Sequence, residues 1–243
     1  MIVIPMAGMS SRFFKAGYEQ PKYMLPAHGK SLFAHCVESF KEYFSSEKFL
    51  FIIRDVYDTE DFVNSECKQL NILDYQVISL HKPTRGQAET VFLGLEACTA
   101  HADESITIFN IDTMRPGFRH PVLNNDVDGY LEVFKGSGDN WSFAREDTEN
   151  PGYVAETAEK NPISDLCSDG LYYFRNISLF RLAYEKMEAA GEAGLAKGEQ
   201  YIAPMYNYLI QAGYKVSYVK IASKAVIFSG TPDEYTAFLE TTQ

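Results

Sequence analysis

The stretch Ile2–Leu25, IVIPMAGMSSRFFKAGYEQPKYML, decides how the rest of the chain reads. Its apolar start, Ile2, Val3 and Ile4, predicts a buried strand that runs into Pro5 and a loop of small residues, Ala7, Gly8, Ser10 and Ser11. The loop delivers Arg12 and, ten residues later, Pro21-Lys22. Such a loop suits phosphate. Gly8 lets the backbone approach an anion, consecutive N–H groups form a nest, and Arg12 and Lys22 add a planar fork and a point charge. It is not a P-loop, because the Gly-Lys-Ser/Thr ending is missing, and it lacks the three spaced glycines of a dinucleotide fingerprint.

Outward from this loop, strands and helices alternate. Leu32, Phe33, Cys36, Val37, Phe40 and Phe44 recur at helical spacing over residues 31–44, followed by an apolar strand at 49–53, a polar helix at 59–70 and a β-rich run at 75–80. After the turn Lys82–Thr90 comes a helix to about Cys98, then a β-rich run at 105–109. This order predicts a Rossmann-like α/β fold, a mostly parallel sheet flanked by helices, with ligands beyond the carboxyl ends of its strands. The rhythm changes after residue 128: short runs at 129–134, 141–145, 152–157 and 170–174, separated by Gly, Asn and Asp, predict added antiparallel strands. Helices at 177–190 and 199–212, runs at 214–221 and 225–228, and a last helix after Pro232 complete the chain. With no linker or repeat, residues 1–243 read as a single domain, 1–128 forming a nucleotide-binding half and 129–243 an acceptor-binding half.

At 243 residues, 46% hydrophobic and 23% charged, the chain has an ordinary globular balance. A net charge of −11 argues against nucleic acid and anionic membranes as partners. It leaves room for a phosphorylated substrate, since exposed charges are screened beyond roughly 8 Å at physiological ionic strength. Cys36, Cys67, Cys98 and Cys167 are widely spaced and read as free thiols of a cytoplasmic protein. No run approaches the length of about 20 apolar residues that a membrane span needs.

The motifs Ala7-Gly8, Ser11-Arg12-Phe13, Pro21-Lys22 and Leu25-Pro26 resemble, in order and register, the signature of the sugar-phosphate nucleotidylyltransferases. Ser10 stands where that family usually has a second glycine. Further segments match along the chain. Asn110-Ile-Asp112 resembles the strand-end Asp that binds metal, Gly86-Gln87 the turn that contacts the nucleobase, and Glu159-Lys160 the segment whose Lys grips the acceptor phosphate. Asp169-Gly170-Leu-Tyr matches a Thr-Gly-Leu-Tyr segment lining the acceptor pocket, with Asp169 in place of Thr. Plainer readings stand beside these: an Asx-turn for Asp112, a strand-to-helix turn for Gln87, a solvated pair for Lys160. Near the C-terminus, Phe228 occupies the place where the family commonly has a second metal-binding Asp, so either Asp112 holds the ion with phosphates and water, or Asp169 replaces the missing carboxylate.

The resemblance implies a GT-A-like fold and a nucleotidyltransferase that uses a nucleoside triphosphate, a sugar phosphate or similar small phosphorylated acceptor, and Mg²⁺. It places Arg12 on the departing pyrophosphate, Lys22 near the α-phosphate, Asp112 on the metal, and Ala7, Gly8, Ser10, Ser11, Gly86, Gln87, Lys160, Asp169 and Gly170 around the substrates. Precursor synthesis for capsule or surface polysaccharide is the setting it suggests. Two other classes fit the same residues: a GT-A glycosyltransferase holding a sugar nucleotide at Asn110-x-Asp112, and a non-catalytic nucleotide sensor, suggested by Ser10 and Phe228.

Overall fold

The structure, a computed structural model, describes residues 1–54, 56–123 and 126–241. The elements of its first part are β1 (Ile2–Pro5), α1 (Ser11–Lys15), β2 (Pro26–Ala27), β3 (Lys30–Ser31), α2 (Leu32–Val37), β4 (Phe49–Arg54), α3 (Thr59–Leu70), β5 (Tyr75–Leu80), α4 (Gln87–Ala97), β6 (Ile106–Phe109) and β7 (Thr113–Met114). Then follow β8 (Gly129–Lys135), β9 (Ser142–Glu146), β10 (Val154–Glu159), β11 (Leu166–Phe174), α5 (Ile177–Ala189), α6 (Met205–Gln211), β12 (Val216–Ile221), β13 (Ile227–Phe228) and α7 (Pro232–Leu239).

The parallel core is β6-β1-β4-β5. Successive residues of its strands point to opposite faces, and both faces are apolar. Val3, Leu50, Ile52, Ile106 and Ile108 pack with Ala88, Val91, Phe180 and Tyr206 of α4, α5 and α6. Ile2, Ile4, Phe49, Phe51 and Phe109 pack with Phe33, Val37, Val63 and Cys67 of α2 and α3. Continuous apolar strands of this kind are what a parallel sheet covered on both sides requires.

The expected antiparallel addition is present. β11 pairs antiparallel with β6 through Leu171–Phe174 on one edge and with β8 on the other, while its first residues meet β9. The pairing with β8 slips between Ser168 and Tyr172, so Asp169 and Gly170 lie in a bulge. Bulges re-aim side chains, and this one falls where β6 ends.

Two helices differ from expectation. Residues 38–43 continue α2 as a tighter 3₁₀ segment, broken at Phe40. The helix predicted over 199–212 is confined to Met205–Gln211. Ahead of it Pro204 disfavours helical backbone in its predecessor, and the amide and carbonyl of Gln200 are bonded to Arg85 and Ala88 instead of to a helix of their own.

Tyr206 on α6 is fully buried, stacks on Phe174 at 4.8 Å and shares its hydroxyl proton between the carbonyls of Tyr130 (2.8 Å) and Tyr173 (2.9 Å) on β8 and β11. Tyr206→Phe therefore removes the donor from two buried carbonyls. It is expected to lower unfolding free energy by about 1–3 kcal/mol, with an unchanged denaturant slope, in urea titrations followed by circular dichroism.

Candidate active site

Two cavities open on the side where β1 and β6 end. The first, about 590 Å³, is lined by the loop Pro5–Ser11, by Lys22 and Tyr23, by the turn Pro83–Gln87, and by Asn110–Asp112. The second, about 550 Å³, is bounded by residues of β9, β10 and β11, by Tyr201 and by Phe228–Glu234. Gln87, Asn110 and Asp112 belong to both walls. A group passing between two ligands, one in each cavity, would pass there.

The residues at this junction are fixed by long-range bonds. The Gln87 amide donates to Asn110 Oδ1 at 2.5 Å, and Asn110 N–H donates to the Gly170 carbonyl at 3.3 Å. Gly170 has φ +93°, and a Cβ there would lie 2.2 Å from the Asn110 amide nitrogen. Only glycine fits. Lys22 Nζ meets Asp112 Oδ2 at 2.5 Å, with the side chains 20% and 25% exposed. This ion pair lies at the junction, where added phosphate oxygens and metal would compete for its two partners.

The loop Pro5–Ser11 turns at Ser10, the residue at the resembled family's glycine position. Its backbone is left-handed (φ +49°, ψ +28°), a conformation that glycine adopts without penalty and other residues do not. The Ser10 hydroxyl accepts the Lys22 N–H at 3.2 Å, tying the loop to the segment that carries the lysine. Ala7, Gly8, Ser10 and Ser11 all line the first cavity, as does Gly86.

Arg12, Lys160 and Asp169, all expected at the site, lie outside the first cavity. Arg12, expected on the departing pyrophosphate, lines the second cavity from the first turn of α1. Lys160 lines neither cavity directly. It follows β10 with φ +52°, bonds the hydroxyl of Tyr201 and lies over the Tyr201 ring, 4.6 Å from its centre. Asp169 does line the second cavity, yet it is 1% exposed, and its Oδ2 meets no donor. Burial, followed by the nearby Glu132 carboxylate on β8, pushes its carboxyl well above the usual carboxylate range. Among the described residues no three His, Cys, Asp or Glu side chains converge to hold a metal.

The donors around Asp112 nevertheless fit a divalent cation that brings most of its ligands with it. Asp112 is a hard oxygen donor. Gly230 keeps the space beside it clear, since a Cβ there would lie 2.8 Å from Asp112 Oδ2 and 3.6 Å from Glu234 Oε2. Magnesium is commonly bound through one or two carboxylates plus phosphates and water. Glu234 was not singled out in the sequence, although Thr231-x-x-Glu234 is a legible capping box, and its Oε2 accepts the Thr231 N–H at 2.9 Å.

The segment 198–201 carried no recognisable signal. Its backbone pairs with the turn of the first cavity: Gln200 N donates to Arg85 O (2.9 Å) and Ala88 N to Gln200 O (3.0 Å). Gly86 lies flat against it, and a Cβ there would come within 2.3 Å of the Gln200 carbonyl. Glu199 thereby lines the first cavity and Tyr201 the second, so the boundary at residue 128 does not separate the two sites.

No protein-family model matches the chain and no curated protein is similar to it. Solved structures are similar. A nucleoside-diphosphate-sugar pyrophosphorylase from Vibrio cholerae RC9 is 56% identical, with a TM-score of 0.95 over 99% of this chain and 100% of that one. The inositol-1-phosphate CTP transferase of T. maritima (14% identity, TM-score 0.70, 98% of this chain and 92% of that) and a UDP-glucose pyrophosphorylase complexed with UDP-glucose (15%, 0.70, 98% and 96%) share the fold.

Arg85, beside the first cavity, is committed to carboxylates. Its guanidinium meets Glu89 at 2.7 Å and Glu188 at 2.5 Å, and it depresses the Glu188 carboxyl to about 2. A depressed acid contributes stability above its ordinary titration range and loses it as pH falls through about 2. Glu188 is expected to titrate near that value in carbon-detected NMR and to return to the ordinary range in Arg85→Gln. Both side chains are largely exposed, so the difference shrinks in high salt.

Proposed function

The chain belongs to the nucleoside-diphosphate-sugar pyrophosphorylase family, and on that premise we propose that it transfers a nucleoside monophosphate from a nucleoside triphosphate to the phosphate of a sugar or similar small acceptor. The observation that supports this most directly is the shared wall of the two cavities, formed by Gln87, Asn110 and Asp112 with Lys22 on the nucleotide side. One cavity takes the triphosphate and the other the acceptor, and the reacting atoms meet at the wall.

In the reaction, an oxygen of the acceptor phosphate forms a bond to the α-phosphorus in line with the bond to the β-phosphate. That bond breaks, and pyrophosphate leaves with the electron pair. No general base is needed, because the attacking oxygen is already ionised near neutral pH. The protein's task is to bring two anions together and to offset their repulsion. Ala7, Gly8, Ser10 and Ser11 receive the triphosphate, Gly86 and Gln87 meet the base, and Lys22 sits against the α-phosphate. From the other side Arg12 faces the acceptor phosphate, and Lys160, steadied by Tyr201, adds its charge to that wall. Asp112 would hold Mg²⁺, which when bound supplies positive charge to the phosphate oxygens. We assign the whole chain to one domain acting in the cytoplasm, and precursor synthesis for capsule or surface polysaccharide as its setting. No helix among the described residues is long and apolar enough to cross a membrane.

Asp112→Asn and Lys22→Ala are each expected to lower kcat for pyrophosphate release by roughly two to three orders of magnitude, with the circular dichroism spectrum unchanged. Near-full activity in both correctly folded variants would overturn the assignment.

A further inference from the structure

The second cavity has an imbalance that phosphate recognition does not account for. Its wall carries the carboxyl groups of Asp112, Glu159, Asp169 and Glu234 but, among the described lining residues, only one cationic side chain, Arg12. Asp112 is neutralised by Lys22, and Glu234 is engaged by the Thr231 N–H. Glu159 and Asp169 remain. Glu159 accepts the Ser142 hydroxyl, a neutral donor, and feels the charge of Lys160, which is itself bonded to Tyr201. Asp169 takes the Leu171 N–H on Oδ1 at 3.1 Å, while its buried Oδ2 meets no donor. Its closest charged neighbour on β8, Glu132, is already occupied by Arg115 at 2.6 Å.

A carboxyl group buried without a counter-ion of its own is costly: Asp169 sits against the Glu132 carboxyl, and the Arg115 guanidinium that acts on both is paired with Glu132. Burial raises the carboxyls of both Glu159 and Asp169, more strongly than the nearby Lys160 and Arg115 lower them. The same cavity contains Trp141 and Phe228, with ring centres 4.8 Å apart and planes at 51°. Phe134 packs behind both, at 5.1 and 5.5 Å, and the indole N–H is bonded to the Ser137 carbonyl at 3.1 Å, so the rings are fixed in place. Fixed aromatic faces in one cavity with partly buried carboxyls are the surroundings that bind organic cations.

We propose that the acceptor carries a positively charged nitrogen in addition to its phosphate, and that Asp169, Glu159, Trp141 and Phe228 recognise this nitrogen. The proposal rests on the nucleotidyl-transfer reading above and narrows its acceptor to the phosphorylated amines. An ammonium group supplies the donor that Asp169 Oδ2 lacks, and its charge offsets the carboxyls. A neutral hydroxyl can donate to them but leaves their charge unbalanced.

The test uses acceptor twins differing at one group: glucosamine 1-phosphate against glucose 1-phosphate and N-acetylglucosamine 1-phosphate, and phosphoethanolamine against 2-hydroxyethyl phosphate. Pyrophosphate release is measured with Mg²⁺ and each nucleoside triphosphate in turn. In at least one series the amine is expected to exceed its neutral twin about tenfold or more in kcat/KM. Asp169→Asn should erode that preference, raising KM for the amine at least fivefold more than KM for the twin. Trp141→Leu, a change outside the bulge, should do the same and serves if the Asp169 variant does not fold. Neutral twins used equally well or better, or a preference that both variants leave intact, would overturn the proposal while leaving nucleotidyl transfer standing. If no acceptor releases pyrophosphate, the transfer reading falls instead, and calorimetric binding to the wild-type protein decides the proposal: tenfold tighter binding of an amine supports it, and equal binding overturns it.

Discussion

The antiparallel pairing of β11 with β6 is the contact on which the rest of the molecule depends. The parallel core built from residues 2–109 would otherwise end at β6 with an open edge. Pairing with Leu171–Phe174 closes that edge and, through the bulge at Asp169–Gly170, brings the acceptor-side strands to the point where β6 delivers Asn110 and Asp112. Without a side chain on Gly170, the Asn110 amide can stand between the two cavities and hold Gln87. One strand pairing thus sets both the continuity of the sheet and the distance across the junction.

Much of this was legible in the sequence because it rests on short-range pattern. The apolar runs of β1, β4 and β6 and the helical spacing of Leu32, Phe33, Cys36 and Val37 state their own periodicity. The loop from Pro5 to Ser11 reads as a phosphate site from composition and spacing. Even the strained position was visible, since Ser10 stands where a glycine is usual and its backbone is left-handed. What the chain did not disclose depends on partners far away in sequence. Lys160 bonds Tyr201, 41 residues on. Gln200, which no local signal marks, pairs with a turn more than a hundred residues earlier and so interrupts the helix that its neighbourhood predicts. The placement of Arg12 in the second cavity follows from the direction of a five-residue helix, which periodicity cannot give.

Electrostatics separate the two cavities more sharply than shape does. They are of similar size, yet the first combines loop amides and Lys22 at its junction while the second gathers carboxyls and rings. Against a net charge of −11, Lys22 lines the first cavity and Arg12 the second. The acidic surplus is not spread evenly over the surface; part of it is built into β10 and β11, where it is shielded from salt.

The contact between Gly86 and Gln200 sets a rule for how the protein can drift over generations. The main chain at 200 is clasped by the turn at 85–88, and its neighbours reach both cavities, Glu199 lining the first and Tyr201 the second. Because the two side chains are hydrogen-bonded to each other, a mutation at 199 or at 201 reaches both walls, and Glu199 also acts on Glu159 in the second cavity. The clasp therefore ties the two cavities together: a change in one wall drags the other along through a single anchored segment.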